Sequence, residues 1–288
     1  MIQRVQNAVK TGNTPDIIYS SSINLVLLPR LAWEGKLADV SSIIEPIKQS
    51  YDPEALKNAN YFNNQTQKRS YYAVPIAQQT TYIHYWQDLL AQAGINDDQL
   101  PKKWDSFWRL WEVAQTNLTK QNVSNIYAIG LPMSAVATDT FTIFEQFLEA
   151  YNVQLLDDEG KLRFDDPQVR QGIINALEAY TNPYLENFIP PNAIEWGDPD
   201  NNINFLSNGT LMTVNGSLSI PGSQKEYQIN YLQRMRTIPW PDKPDGTPMR
   251  YVTSIKQIAI LAETDRLEEA KSLVAFFVET VNLETYLE

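Results

Sequence analysis

The stretch Thr11-Gly12-Asn13-Thr14-Pro15-Asp16-Ile17-Ile18-Tyr19-Ser20-Ser21-Ser22 decides the fold, because a loop, a strand and a helix start follow one another within it. Its first residues are loop formers, and Ile17-Ile18-Tyr19 is a short apolar run of the kind that forms a buried strand. The serines then end the strand and can cap the helix that follows. That helix is predicted from apolar residues at helical spacing, Leu25, Leu28, Leu31 and Ala32, which Gly35 closes.

The same alternation of strands and helices continues along the whole chain. An amphipathic segment at residues 2–9 comes first, and further strands are predicted at residues 71–76, 81–86, 126–129, 211–214 and 255–262. Helices are predicted after Pro101, at residues 139–150, from Pro167, at residues 201–208 and from a capping-box-like start at Asp265 and Glu268. The first of them carries Trp104, Phe107, Trp108 and Trp111 on one face, and this helical spacing predicts that they pack internally. Residues 239–248, with four prolines, are a connector. This order predicts an α/β protein.

Composition excludes several classes of function. The formal net charge is -11, which disfavours a nucleic-acid partner because backbone binding needs clustered Lys and Arg. The chain has no cysteine, so disulfides and thiol nucleophiles are excluded, and His84 is its single histidine. No apolar run approaches the length that spans a membrane. We expect a globular protein without a cofactor or a metal site.

Sequence motifs for catalysis are also absent. No phosphate-binding G-x-x-x-x-G-K-[ST], G-x-G-x-x-G or hydrolase G-x-S-x-G pattern occurs. A pair of carboxylates for glycoside hydrolysis stays open as an alternative, because the chain has 34 Asp and Glu residues. No single pair stands out among them.

Ordered segments of the chain resemble the extracellular solute-binding proteins of bacterial carbohydrate ABC importers, the family that includes the maltose-binding protein. Residues 11–18 (TGNTPDII) are similar to its G-x-x-P-D-[IV]-[IV] strand entry, and residues 33–40 (WEGKLADV) to its G-x-L-x-D-L segment. The other similar segments are residues 72–81 (YAVPIAQQTT), 85–90 (YWQDLL) with 93–95 (AGI), 101–105 (PKKWD), 205–215 (FLSNGTLMTVN) and 268–273 (EEAKSL).

The resemblance implies a periplasmic-binding-protein-like fold of type II, with two α/β lobes that close on a ligand like a Venus flytrap. We expect residues 1–82 and 238–288 to form lobe 1 and residues 83–237 to form lobe 2. Against the family pattern the chain looks truncated at both ends, without the first strand of lobe 1 and without a C-terminal piece. Leu218 stands where many maltodextrin binders carry a stacking Trp, which argues against a long maltodextrin.

The resemblance also implies the function. We expect extracytoplasmic binding of a carbohydrate, from a monosaccharide to an oligosaccharide or a related polyol or glycoside, and its delivery by hinge closure. The expected partners are the permease subunits of an ABC importer. The protein is then no enzyme, binds no nucleic acid and is a monomer. It is expected in the periplasm or outside the cell, membrane-associated in a lipoprotein form, and the signal segment is expected to be absent from this chain. A truncated paralogue that no longer transports is a further alternative.

Candidate ligand residues lie in loops at strand ends and combine planar polar groups with aromatic faces. Ser20 and Ser21 follow the first strand, with helix capping as the alternative role, and Gln78 and Gln79 lie where the chain is expected to cross between lobes. Asp139 opens a helix, where it is either a ligand residue or an N-cap. The remaining candidates are Trp196, Asp198 and Asn202, which form part of a W-x-D-x-x-N-N pattern, Asn215 at a strand end, and Tyr251 and Thr253 before the last strand. Trp196 is predicted to be an accessible loop residue that stacks on a sugar ring.

Overall fold

The computed structural model describes residues 2–19, 21–157, 159–216 and 219–282. The helices are α1 (Ile2–Thr11), α2 (Ser21–Val26), α3 (Leu28–Trp33), α4 (Ser41–Ile44), α5 (Pro53–Ala59), α6 (Gln87–Gln92), α7 (Trp104–Lys120), α8 (Thr138–Ala150), α9 (Pro167–Leu185), α10 (Asp200–Leu206), α11 (Ser219–Ser223) and α12 (Leu267–Val278). The strands are β1 (Ile17–Tyr19), β2 (Asn60–Asn63), β3 (Lys68–Tyr71), β4 (Val74–Trp86), β5 (Tyr127–Gly130), β6 (Thr210–Gly216), β7 (Met235–Ile238) and β8 (Thr253–Ile260).

The chain divides into two compact units. Unit 1 comprises Met1–Gln79 and Ser254–Glu288, and unit 2 comprises Thr80–Thr253. The boundaries predicted from the sequence were 82/83 and 237/238, so the first lies close to the observed division and the second differs from it. The chain thus passes from unit 1 to unit 2 within β4 and returns at the start of β8.

Residues 238–253 belong to unit 2 because they pack on α7 and α8. The ring of Trp240 lies 5.8 Å from that of Phe147 and is stacked at 6.5 Å on Trp104. The side chain of Gln146, which is fully buried, donates to the carbonyl of Arg250 at 2.7 Å and accepts from the amide of Val252 at 2.9 Å. A single glutamine thereby satisfies the connector's backbone as a neighbouring strand would.

In unit 1, β8 lies between β1 and β4, and β1 is antiparallel to β8 with Ile18 opposite Ala259. Two apolar clusters fill the unit. One gathers α2 and α3 around Leu28, and the other packs α12 against α4 around Ile44 and Val274. The hairpin of β2 and β3 is a separate antiparallel pair.

In unit 2, β4 is central, with β7 antiparallel on one side and β6 antiparallel on the other. The fourth strand, β5, is parallel to β6. The core is built on the predicted aromatic face of α7, Trp104, Phe107, Trp108 and Trp111, whose helical spacing places all four on the buried side. The expectation that this face packs internally is confirmed.

Asparagine ends the four main helices of unit 2 in the same way. Asn122, Asn152, Asn187 and Asn208 follow the last residues of α7, α8, α9 and α10, each with a positive φ between 56° and 63°. At each helix end, the backbone amide of the residue after the asparagine donates to a carbonyl of the last turn. The Val153 amide donates to the Leu148 carbonyl at 2.9 Å, and the Gly209 amide donates to the Asn204 carbonyl at 2.8 Å. Asparagine tolerates the left-handed conformation that this helix end requires.

Two local predictions were wrong. The predicted strands at 71–76 and 81–86 are instead joined in one long strand, β4, which begins only at Val74. At α12 the N-cap is Arg266, without a side-chain cap, and Thr264 Oγ1 accepts from the Arg266 amide at 3.0 Å. The first turn of α12 therefore lacks the side-chain cap that was expected from Asp265 and Glu268.

Candidate functional site

The candidate site in unit 2 lies at the carboxyl ends of the parallel strands β5 and β6. The chain leaves β5 at Gly130 and enters α8 at Thr138, and it leaves β6 at Gly216. Because β4 is antiparallel to β6, its first residues in unit 2 reach the same edge, where Tyr82 lies opposite Asn215. Ligands of open α/β sheets bind outside the carboxyl ends of strands.

Asn215 organises this edge of the sheet. Its side chain is 7% exposed, and its amide nitrogen donates to Asp139 Oδ2 at 3.3 Å and to Asn202 Oδ1. Its amide oxygen accepts from Ser219 Oγ at 2.9 Å. One amide thus joins α8, α10 and α11, and we refer to Asp139, Asn202, Asn215 and Ser219 as the Asn215 cluster.

Asp198 lies beside the cluster as a helix cap. Its Oδ1 accepts from the backbone amides of Thr138 at 2.5 Å and Asp139 at 3.2 Å. The residue at the N-cap position of α8 is Ala137, which has no polar side chain to offer. The negative charge of this carboxylate is also stabilised by the positive end of the helix dipole. Asp139, for which an N-cap role was the alternative, is instead inside the first turn with its carboxylate on Asn215.

Trp196 is the main correction to the predicted site. It is 4% exposed and belongs to the hydrophobic core of unit 2, so it is not the accessible loop residue that was expected. The reason is the 3-10 turn at Pro191–Glu195, in which Ala193 is fully buried and accepts from the Met133 amide at 2.9 Å. This hydrogen bond connects the turn to the segment after β5, and Trp196, which follows the turn, lies in the core of unit 2.

Two tyrosines offer the aromatic surface near the cluster. Tyr251 is 36% exposed, and its ring centroid lies 5.7 Å from that of Tyr82 with the planes tilted by 43°. Burial raises the pKa of Tyr251, and the hydrogen bond from the Trp240 amide offsets part of that rise. The phenol therefore stays neutral at physiological pH and keeps its proton for a hydrogen bond.

The other predicted residues are not members of the Asn215 cluster, and some of them fall outside the described residues. Thr253 is exposed at the start of β8, and Gln78 and Gln79 lie on β4 in unit 1, the first exposed and the second half-buried. Ser21 begins α2, but its side chain is outside the described residues. Ser20 and Leu218 also fall outside them.

The structure therefore brings together Asp139, Asp198, Asn202 and Asn215, and it adds two residues that the sequence analysis missed. Tyr82 was identified only as part of an extended run, and the signal for it is the strand register opposite Asn215. Ser219 lies three residues beyond Gly216 and begins α11. A serine at the start of a helix is ordinarily assigned a capping role from the sequence. His84, in the same strand, is fully buried with Nδ1 2.8 Å from Thr237 Oγ1, which fits packing.

The chemistry that this edge supplies is hydrogen bonding to neutral hydroxyl groups. Carboxylate and amide oxygens accept, amide and phenol groups donate, and the tyrosine rings present apolar faces. Across the described parts of the chain, no three or more His, Asp or Glu side chains are grouped so as to hold a metal ion. None of the helices within the described ranges is long and apolar enough to cross a membrane.

The chain is similar to known proteins in family and in fold. A family model described as bacterial extracellular solute-binding protein matches residues 1–282. No curated protein sequence matches the chain. An ABC transporter solute-binding protein of Thermotoga lettingae bound with alpha-D-tagatose is similar over 99% of this chain and 68% of its own, with a TM-score of 0.79 and 21% identity.

Two further structures are similar at lower identity. Maltose-bound MalE3 of T. maritima has a TM-score of 0.72 and 16% identity, covering 98% of this chain and 67% of its own. A solute-binding protein of Agrobacterium vitis with bound D-mannitol has a TM-score of 0.69 and 18% identity, covering 99% and 64%. The predicted α/β periplasmic-binding-protein-like fold is confirmed. The chain spans about two thirds of the length of these proteins.

Proposed function

Because the chain belongs to the bacterial extracellular solute-binding protein family, we propose that it binds a carbohydrate outside the cytoplasm and delivers it to the permease subunits of an ABC importer. Solute-binding proteins bind and release their ligands without bond chemistry, so the carboxylates of unit 2 act as hydrogen-bond acceptors. We also propose that the protein is located in the periplasm or the extracellular space, with a lipoprotein form held at the membrane.

The ligand class is supported by the proteins of similar fold. The three described above carry a ketohexose (tagatose), a disaccharide (maltose) and a linear polyol (mannitol). All three are neutral molecules dense in hydroxyl groups. We propose a ligand from this range, a monosaccharide, a short oligosaccharide or a related polyol or glycoside.

The observation that carries this proposal is the double donation by the Asn215 amide to Asp139 and Asn202. It holds a carboxylate and an amide side by side at the strand ends, which is the arrangement that adjacent sugar hydroxyls need for paired hydrogen bonds. The Tyr82 and Tyr251 rings stand at the same edge and provide an apolar face for the carbon skeleton of a sugar.

Delivery is proposed to work through hinge closure. The polypeptide crosses between the two units at Gln79 and Thr80 and again at Thr253 and Ser254, and each crossing lies at or within a strand. A ligand that makes contacts to both units favours the closed conformer by the difference in its affinity for the two states. The permease then recognises that conformer, and the protein acts as a monomer without nucleic acid.

A thermal-shift screen of the full chain against neutral monosaccharides, disaccharides and polyols tests the proposal. A ligand present at a hundred times its Kd stabilises the folded state by about 2.7 kcal/mol, which moves the melting temperature by several degrees. We expect one structural class to give this shift, and Asn215→Ala to abolish it. The proposal is overturned if no neutral sugar or polyol shifts the melt at millimolar concentration, or if aryl glycosides are turned over.

A further inference from the structure

The side chain of Gln146 holds the backbone on both sides of Tyr251. Its amide nitrogen donates to the Arg250 carbonyl at 2.7 Å, and its amide oxygen accepts from the Val252 amide at 2.9 Å. Gln146 is fully buried in α8, whereas Tyr251 is 36% exposed and belongs to the candidate site. Both hydrogen bonds form away from water, where each is stronger than at the surface. A buried glutamine thus fixes the backbone that carries an exposed aromatic ring.

The contacts of Tyr251 lead around the candidate site and return to α8. The Tyr251 ring lies 5.7 Å from that of Tyr82, and Tyr82 lies opposite Asn215 in the pairing of β4 with β6. The Asn215 amide donates to Asp139 at 3.3 Å, and Asp139 lies in the first turn of α8. Asp139 and Gln146 are seven residues apart, a spacing that places both on the same face of a helix. The contacts therefore form a closed ring, in which α8 carries the carboxylate of the site and also holds its aromatic face.

The segment around Tyr251 has two further contacts, and each of them does less. Glu149 pairs with Arg250, but the Arg250 side chain is 77% exposed, and an ion pair with an exposed partner contributes little. Thr80 Oγ1 donates to the Val252 carbonyl at 2.9 Å, so it holds the segment on one side of Tyr251 only. The buried glutamine is the one side chain among these three that holds the backbone of both neighbours of Tyr251.

We infer that Gln146 is a positioning residue of the ligand site, because it sets the place at which the Tyr251 ring meets a sugar. The inference rests on the proposed sugar site. Gln146 is fully buried, so it acts on the ligand through Tyr251 and not by direct contact. The ring is held in place before the ligand arrives, which lowers the cost of ordering it on binding. A ligand that uses the tyrosine face therefore gains affinity from a side chain that it never contacts.

The test uses two substitutions of Gln146 in the full chain. Gln146→Met keeps the length of the side chain and removes both hydrogen bonds. Gln146→Glu keeps the acceptor, but it donates only when its carboxyl group is protonated. The matched controls are Gln115→Met and Gln115→Glu, because Gln115 on α7 makes the same pair of contacts elsewhere in unit 2. Its amide nitrogen donates to the Asn187 carbonyl at 3.0 Å, and its amide oxygen accepts from the Ala128 amide at 2.6 Å.

Two quantities are measured for the unaltered chain and each variant. Isothermal titration calorimetry gives the affinity for D-tagatose, maltose and D-mannitol in turn, at pH 7 and at pH 5. Fluorine NMR of the ligand-free protein, with 3-fluorotyrosine in place of tyrosine, gives the resonance of Tyr251, which the variant Tyr251→Phe assigns. Melting temperatures check that each protein is folded under the conditions of measurement.

We expect Gln146→Met to weaken the affinity by about tenfold and to move the Tyr251 resonance, because a ring that is free to move must be ordered on binding. Gln146→Glu should bind weakly at pH 7 and approach the affinity of the unaltered chain at pH 5. The reason is that burial raises the pKa of a carboxyl group, and protonation restores the donor. The Gln115 variants should lower the melting temperature without changing the affinity or the resonance.

The inference is overturned if the unaltered chain binds a sugar and Gln146→Met binds it equally well. It is also overturned if the Gln146 and Gln115 variants lose affinity equally, since the loss then reflects stability alone, or if Gln146→Glu stays weak at pH 5. A Tyr251 resonance that stays in place overturns it whether or not a sugar binds. If the unaltered chain binds none of the three sugars, the result counts against the proposed function, and the resonance alone decides whether Gln146 holds Tyr251. If Gln146→Met does not fold, the comparison of Gln146→Glu at the two pH values decides.

Discussion

The carboxylate of Asp198 lies 2.5 Å from the backbone nitrogen of Thr138, so a residue 60 positions downstream caps the start of α8. The same oxygen accepts from the Asp139 amide at 3.2 Å, which holds the first turn in place. Because Asp139 Oδ2 accepts from Asn215, the cap also sets the position of a carboxylate in the candidate site.

Asp198→Ala is predicted to lower the free energy of unfolding by about 1 kcal/mol, the usual effect of a lost helix cap. It is also predicted to weaken ligand binding, because the first turn of α8 carries Asp139. The matched control is Asp166→Ala, which removes the cap of α9, where Asp166 accepts from the Gln168 amide at 2.8 Å. Denaturant titration should show similar losses for both variants, and calorimetry a weaker affinity for the first alone. Equal affinities would exclude a positioning role for Asp198.

Trp196→Ala is predicted to destabilise unit 2 by about 3–5 kcal/mol, because it leaves a large cavity in the core. Any loss of sugar binding then accompanies a loss of folded protein. Trp33→Ala in unit 1 serves as the comparison, because Trp33 is 51% exposed. Thermal melts should place the two variants several degrees apart. A Trp196→Ala protein that melts like the unaltered chain would argue that Trp196 does not support the core.

Asn215→Asp is predicted to weaken sugar binding at neutral pH. The substitution replaces two donated hydrogen bonds with a carboxylate that faces Asp139, and like charges at close range repel. Acidification toward pH 4 should restore part of the affinity, because a protonated carboxyl group donates again. Asn175→Asp on α9, outside the cluster, controls for the added charge. A loss of affinity that is the same at every pH would contradict the repulsion argument.

The ion pairs of Glu149 predict how stability depends on pH. Burial raises the pKa of Glu149, but hydrogen bonds from Arg250 and Lys243 lower it by more, so its folded-state pKa lies below the ordinary 4.5. Its stabilising contribution is therefore complete above pH 4.5 and is lost as the pH falls through the lowered value. The side chain of Lys243 is 4% exposed, so its ion pair with Glu149 is buried.

Glu149→Gln should therefore destabilise the protein by about 3–5 kcal/mol at pH 7, since it removes the ion-pair partner of the buried Lys243. The melting temperature of the variant should also vary less between pH 5 and pH 3. Glu159→Gln removes the exposed pair with Lys161, whose side chains are 73% and 74% exposed, and should change the melt little. Identical pH profiles for Glu149→Gln and the unaltered chain would refute the assignment.

The alternation of strands and helices was predictable from sequence because it depends on local period and composition. The short strand at Ile17–Tyr19 and the aromatic face of α7 were both identified from spacing alone. The confirmed fold class followed from these elements and from ordered family segments. Asn215 was identified as a candidate because it ends a buried strand next to a glycine.

The predictions that failed depend on contacts between distant segments. Nothing near Trp196 in the chain indicates that the turn before it packs on the segment after β5. The carboxylate that caps α8 belongs to Asp198, which is remote in sequence from the N-cap residue Ala137. Capping preferences within the local sequence therefore suggested Asp139 as the cap instead. The second unit boundary was misplaced because Gln146 holds residues 250–252, a tertiary contact that a proline-rich connector does not reveal.

The placement of residues 238–253 has a consequence for the order of folding during synthesis. Unit 2 is a single uninterrupted segment, so every contact it needs is available once Thr253 has left the ribosome. Unit 1 must wait, because β1 pairs with β8, and Ile18 meets Ala259 only after all of unit 2 has been made. The segment that carries β1 therefore stays without its partner strand while unit 2 is made, and β8 then completes the pair.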